Sequence, residues 1–149
     1  MIIGSEKLDA FCRAIDNYDG DDYDEFCKRS IADKANEMGI SAHALFVVFD
    51  AWCLTKMRVI VNCNKHNCIS LDFANAVEPS LGRDVACALF DFGVTEFYYS
   101  CAAGGAAESI GELESAAGPF HLRGVCPVAR RKRNGELAFT PAFYLRIGE

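Results

Sequence analysis

Val94-Thr95-Glu96-Phe97-Tyr98-Tyr99-Ser100 runs straight into Ala103-Gly104-Gly105-Ala106. β-branched and aromatic side chains suit a pleated, buried surface, and a glycine pair suits a tight turn, so the stretch reads as a buried strand entering a turn. A short helix follows, ending near Gly118. Beyond it, His121 to Val128 and Ala138 to Ile147 carry the composition of two more strands, with the basic tip Arg130-Arg131-Lys132-Arg133-Asn134-Gly135 between them. Residues 94–147 therefore read as a β-α-β-β unit.

Upstream, the period lengthens from two residues to between three and four. Leu8, Phe11, Cys12 and Ile15 mark one face of a helix from Ser5, its cap, to about Asp16. Tyr23, Phe26, Cys27, Ile31 and Ala35 mark a second, from about Asp22 to Met38, stopped by Gly39. Ser41 opens a third through Leu54, whose run Ala44 to Phe49 combines β-branching with helical length. Met57 to Asn62 and Ile69 to Phe73 read as an antiparallel hairpin turning at Asn64-Lys65-His66-Asn67, and Pro79-Ser80 starts a helix from Leu81 to Phe92 that ends at Gly93.

The expected fold class is α+β, with the N-terminal helices packed on or beside one face of a mixed sheet of about five strands. With 149 residues, 51% of them hydrophobic, the chain can bury one substantial core, so a single domain over 1–149 is expected. The net charge of −6 is unevenly spread: residues 1–40 hold ten acids against five bases, whereas residues 122–149 hold two against six. An acidic body argues against general attraction to nucleic acid or anionic membrane, but leaves the cationic end able to touch a polyanion locally. The eight cysteines are scattered along predicted helices and strands, as small apolar residues of a reduced, cytoplasmic protein would be. No apolar run approaches the ~20 residues that span a bilayer, and Met1-Ile2-Ile3-Gly4 lacks a signal-peptide core.

Gly93-Val94-Thr95-Glu96-Phe97, Ser100, the helix to Gly118, Leu122-Arg123-Gly124-Val125 and Pro141-Ala142-Phe143-Tyr144-Leu145 together resemble small uncharacterised proteins of phages and conjugative elements of gut bacteria. The resemblance covers the last third of the chain. It implies a mobile-element accessory protein in a bacterial cytoplasm and transfers no activity, because the shared motifs are packing motifs.

Chemistry-bearing spacings are sparse. Cys63, His66 and Cys68 offer zinc ligands as C-x2-H-x-C, but the one-residue gap before Cys68 is tight for a tetrahedron. A hairpin turn with the cysteines facing across the strands is preferred, either as free thiols or as a redox-labile disulfide, and neither metal nor cofactor is expected. Cys101 stands where a strand meets a glycine turn before a helix, a place where a thiolate can be stabilised, with Ser100 beside it; His121, His66 or His43 would have to serve as base. Gly104-Gly105 matches neither G-x-G-x-x-G nor G-K-[ST]. The acidic stretch from Asp16 to Asp24 is no EF-hand, since placing Gly20 sixth puts Ile15 first, where a carboxylate is required.

These residues point to a non-enzymatic protein that binds a macromolecular partner, a protein or ribonucleoprotein complex such as a host defence or nuclease complex. Its expected contact residues are Asp19, Asp21, Asp22 and Asp24 on the acidic side and Arg130, Arg131, Lys132 and Arg133 on the basic side. Two other readings stand beside it: a nucleic-acid-binding module using the hairpin 130–135, and a small Cys-dependent enzyme centred on Cys101. Phe139 and Tyr144 read as core or sheet-face residues.

Overall fold

The computed structural model describes residues 6–62, 68–113, 120–131 and 134–148. Helix α1 (Glu6–Asp16) buries Leu8, Cys12 and Ile15, the stripe its spacing predicts. In α2 (Tyr23–Met38), Ile31 and Ala35 are buried. Its first turn is closed by Asp22, whose Oδ1 accepts from the Glu25 N–H at 3.2 Å, and its last by Gly39. Ser41 caps α3 (Ala42–Arg58) by accepting from the Ala44 N–H at 3.1 Å. The chain bends by 117° between α2 and α3, and among the described residues no single helix is long and apolar enough to cross a membrane.

Strand β1 (Val59–Asn62) follows α3 directly. Then come β2 (Ile69–Phe73), a 3-10 turn at Pro79–Leu81, α4 (Gly82–Asp91), β3 (Glu96–Cys101), α5 (Ala106–Glu112), β4 (Phe120–Arg131) and β5 (Leu137–Ile147). The class is α+β, helices with a mixed sheet, in the order β1-β4-β5-β3-β2. Strands β2 and β3 are parallel, joined through α4, and the remaining ladders are antiparallel. Strand β5 lies between β3 and β4, so α5 carries the chain across the position that β5 later fills.

Alternation assigns the faces. Ile69, Leu71, Phe73, Phe97, Tyr99, Leu145 and Ile147 point into one core with α1, α3 and α4, continuous from Leu8 to Ile147. Tyr98, Cys68 and Ala142 form a smaller cluster of their own, with Tyr144 against it.

Three expectations are corrected here. Met57 and Arg58 belong to α3 rather than to a strand, because the helix runs a full turn past Leu54. The hairpin of 57–62 with 69–73 does not form: β1 pairs with β4 and β2 with β3, at opposite edges of the sheet. Its expected turn, like Cys63 and His66, lies outside the described residues, as does the Ser5 cap. The basic tip is also shorter than expected, since Arg130 and Arg131 are still in β4, in register with Ala138 and Leu137.

The edge of β2 is covered by α3. Residues 69, 71 and 73 turn their backbone groups toward β3, which leaves the Asp72 N–H facing outward, where Thr55 Oγ1 accepts it at 2.7 Å. Thr55 in turn donates its own proton to the Ala51 carbonyl at 2.8 Å, so the hydroxyl is fully used. On the second face, the buried Ser100 hydroxyl donates to Asp72 Oδ1 at 3.0 Å.

Helix α1 is locked to α3 by Asp9. Its carboxylate accepts from Trp52 Nε1–H at 2.9 Å and pairs with Lys56 at 3.2 Å and Arg13 at 2.8 Å. The Trp52 hydrogen bond above all holds the Asp9 carboxyl below its ordinary value, with Lys56 and Arg13 adding to it against the opposing effect of burial. A carboxyl depressed in the folded state stabilises the fold above its unfolded pKa and loses that contribution as pH falls through the folded one. Asp9→Asn is therefore expected to flatten the acid limb of a stability-against-pH curve below about pH 4, with a modest loss near neutrality because the group is partly solvated. Chemical denaturation between pH 2 and pH 7 measures it; an unchanged acid limb would remove Asp9 as the contributor.

Candidate partner-binding surface

The strands β4 and β5 are the longest of the sheet, 12 and 11 residues. On β5 the core face carries Ile147 and Leu145, both buried, then the half-buried Phe143, then Pro141, Phe139 and Leu137, all exposed. Val125 is the register partner of Phe143 and shares its face. Relative exposures of 66% for Val125, 71% for Phe139 and 48% for Leu137 leave these three apolar side chains largely uncovered, while Ala129, the register partner of Phe139, is buried. A register shift between Leu122 and Gly124 restores the alternation, so Leu122 pairs with Leu145 on the same side. Arg130 and Arg131 end β4 beside this face, and Asn134 and Gly135 turn the chain back, with Asn134 Oδ1 accepting from the Glu136 N–H at 3.0 Å. Lys132 and Arg133 lie outside the described residues.

At the root of the arm is a recess of about 160 Å³ between the start of α5 and β5, lined by Cys101, Gly104, Gly105, Thr140, Pro141 and Phe143 among others. Gly104 and Gly105 both sit at φ +86°, a left-handed conformation that L side chains rarely adopt, which is why this turn takes a glycine pair. Nearby, the Val77 N–H donates to Tyr99 Oη at 3.0 Å and Ser109 Oγ donates to the Val77 carbonyl at 3.3 Å. The single proton of Ser109 being used, Tyr99 supplies the one in their 2.8 Å contact, and a closed ring of three bonds pins both α5 and the loop after β2 to β3. Burial above all pushes the Tyr99 phenol well above its ordinary value, so it stays a donor.

Cys101 is buried on the core face, and no histidine is among the residues lining its recess. His43 lies elsewhere, in a cleft of about 270 Å³ between α3 and the loop after β2, with Phe46, Asp50, Asn75 and Glu78. Burial raises the Asp50 carboxyl. His121 begins β4, half-buried. Thus neither His43 nor His121 is among the residues that line the recess of Cys101, and His66 lies outside the described residues. Nor does any group of three or more His, Cys, Asp or Glu side chains among them have the geometry of a metal site.

The acidic residues stand at the junction of α1 and α2. Asp19, Asp21 and Asp22 precede α2 and Asp24 lies in its first turn, all exposed. Part of this cluster is structural: Asp22 is the cap, the Asp21 carbonyl accepts from Tyr18 Oη at 2.9 Å, and Asp24 complements the helix dipole. Tyr18 stacks on Phe26, with ring centroids 3.9 Å apart, and fixes the loop. Tyr144 is half-buried on the second face, hydrogen-bonded to Glu96, and burial followed by that bond pushes its phenol up to about 12.

Phe139 is the residue whose exposure pattern reading leaves open. The alternation that reads it as core or sheet-face is borne out for the sheet face, where the ring stands exposed. The one local sign is that Leu137 and Phe139 continue the apolar alternation right up to the basic tip. Comparison of the chain with protein-family models, curated proteins and solved structures returns no match.

Proposed function

We propose that this protein binds a macromolecular partner without catalysis, using the β4–β5 arm as its recognition element and the acidic junction around Asp19–Asp24 as a second patch. The observation that carries the reading is the uncovered apolar face of Val125, Leu137 and Phe139 on an arm whose end is cationic. An exposed aromatic on a rigid two-stranded support resembles the anchors that dominate protein interfaces, and adjacent cations add steering and orientation. The β-α-β-β arrangement of residues 94–147 would hold such an arm firmly at its root. A protein or ribonucleoprotein complex, such as a host defence or nuclease complex addressed by a mobile element, is the partner class that fits.

A nucleic-acid-binding reading is favoured by the same Phe139, since an exposed ring beside cations is a platform on which a base can stack. Affinity capture from bacterial lysate with and without nuclease separates the two. For a protein partner, capture survives nuclease, and Phe139→Ser weakens it roughly thirtyfold, the loss of about 2 kcal/mol of anchor. Replacing Arg130, Arg131 and Arg133 by Ser makes the remaining binding insensitive to salt. Capture that nuclease abolishes moves the function to nucleic acid; turnover of a small substrate by the purified protein, with no partner found, defeats both readings.

A further inference from the structure

The three N-terminal helices each bring a cysteine to one junction. The Asp9 contacts set the register of α1 on α3: Trp52 and Lys56 both reach Asp9, and Phe11 lies edge-on to Phe49 at 6.4 Å between ring centroids. The helices therefore run in opposite directions here, and Cys12, one turn after Asp9, meets Cys53, one turn before Lys56. That register makes the two thiols near neighbours across the α1–α3 contact, and each shifts the other's ionisation. Cys12 has no exposed surface, whereas Cys53 is half-buried. Cys27 of α2, also half-buried, is within electrostatic reach of Cys53.

We propose that Cys12 and Cys53 are an oxidisable thiol pair, a modification site at which hydrogen peroxide converts the two thiols into a disulfide tying α1 to α3. The asymmetry of burial assigns the order. Cys53, the accessible partner, attacks: its thiolate sulfur bonds to one peroxide oxygen, the O–O bond breaks, and the departing hydroxide takes a proton to become water. Cys12 then attacks the sulfur of the Cys53 sulfenic acid. The S–S bond forms, the S–O bond breaks, and the leaving hydroxide takes the Cys12 proton as a second water, so two thiols lose two hydrogens and one peroxide is reduced to two waters.

Charge placement supports the same roles. Cys12 lowers the Cys53 pKa, with Lys56 adding to the effect against burial, Asp16 and Asp50; Cys53 and burial raise Cys12. The nucleophile is then the thiol that ionises more easily, and the resolving thiol stands beside it across the α1–α3 contact. Nothing in this chemistry depends on a partner.

The test is peroxide treatment of the full chain carrying Cys87→Ser, which removes an exposed thiol able to link two molecules. Thiol blocking, digestion and mass spectrometry follow. The expected product is a monomer lighter by two hydrogens, with a peptide linking Cys12 to Cys53, restored by dithiothreitol. Cys53→Ser is expected to abolish the link, and Cys12→Ser to leave a sulfenic acid at Cys53 that dimedone traps, circular dichroism confirming that each variant is folded. Cross-linking of Cys53 to Cys27, over-oxidation of Cys53 without a link to Cys12, or Cys53 left unreacted while Cys87 of the parent chain is oxidised would each overturn the proposal. The parent chain's own cross-link map decides the matter even if a variant fails to fold.

Discussion

Deletion of residues 1–40 is expected to leave a chain that no longer melts cooperatively and that binds a hydrophobic dye. The deleted helices cover side chains that have no other shelter: Phe11 packs on Phe49 and Phe92, and Asp9 holds Trp52. Phe49, Trp52 and Phe92 are all buried. Exposing three such side chains at about 1.5–3 kcal/mol each removes on the order of 5 kcal/mol or more, comparable with the roughly 5–15 kcal/mol of a typical domain. Thermal melting followed by circular dichroism, with dye fluorescence alongside, reads both effects. A shortened chain that stayed monomeric and unfolded in one sharp transition would show that α1 and α2 are an appendage and the sheet a unit of its own.

The second large effect is expected from Phe97→Ala. Phe97 is 1% exposed, faces Phe120 edge-on at 6.1 Å, and lies in register between Ile69 and Leu145 on the core face. Truncating a buried phenylalanine costs about 3–5 kcal/mol, since the void cannot close against a rigid sheet, and should lower the melting temperature by roughly 10 °C. Phe90→Ala is the control, because Phe90 is 61% exposed and its loss should stay within about 0.5 kcal/mol. Equal losses at both positions would contradict the assignment of the two rings to core and surface.

The local elements could be read from residues because their signals are local. The stripe Leu8, Cys12 and Ile15, the helix start near Asp22 and the Gly39 stop each act within one turn of chain, and the structure uses all of them. Pairing is a different kind of information. Asn64 to Asn67 looks like a turn joining neighbours, yet β1 and β2 find partners far along the chain. A ladder is chosen by which surfaces can be buried together, and no window of sequence holds that. The parallel pairing of β2 and β3 was missed for the same reason, although a strand, a helix and a strand in succession allow a crossover.

The candidate surface was legible in its charge and hidden in its apolar part. Arg130 and Arg131 announce themselves as cations, whereas Phe139 carries the same alternation as Leu145 and differs in being exposed rather than buried. Cys12 and Cys53 likewise read as core residues, correctly for Cys12, and only the register set by Asp9 shows that they meet.

The place of β5 bears on how the chain is made. It is the last strand to be synthesised and the middle strand of the sheet, flanked by β3 and β4. A ribosome that has released everything through Arg131 has made four strands that cannot join, because β2 with β3 and β1 with β4 are two separate pairs without their bridge. Those half-sheets present open edges, the situation in which nascent chains recruit chaperones or stick to one another. Ordering of the sheet as a whole must wait until Ile147 has cleared the exit tunnel, so the cell meets this protein first as an unjoined pair of fragments on a single thread.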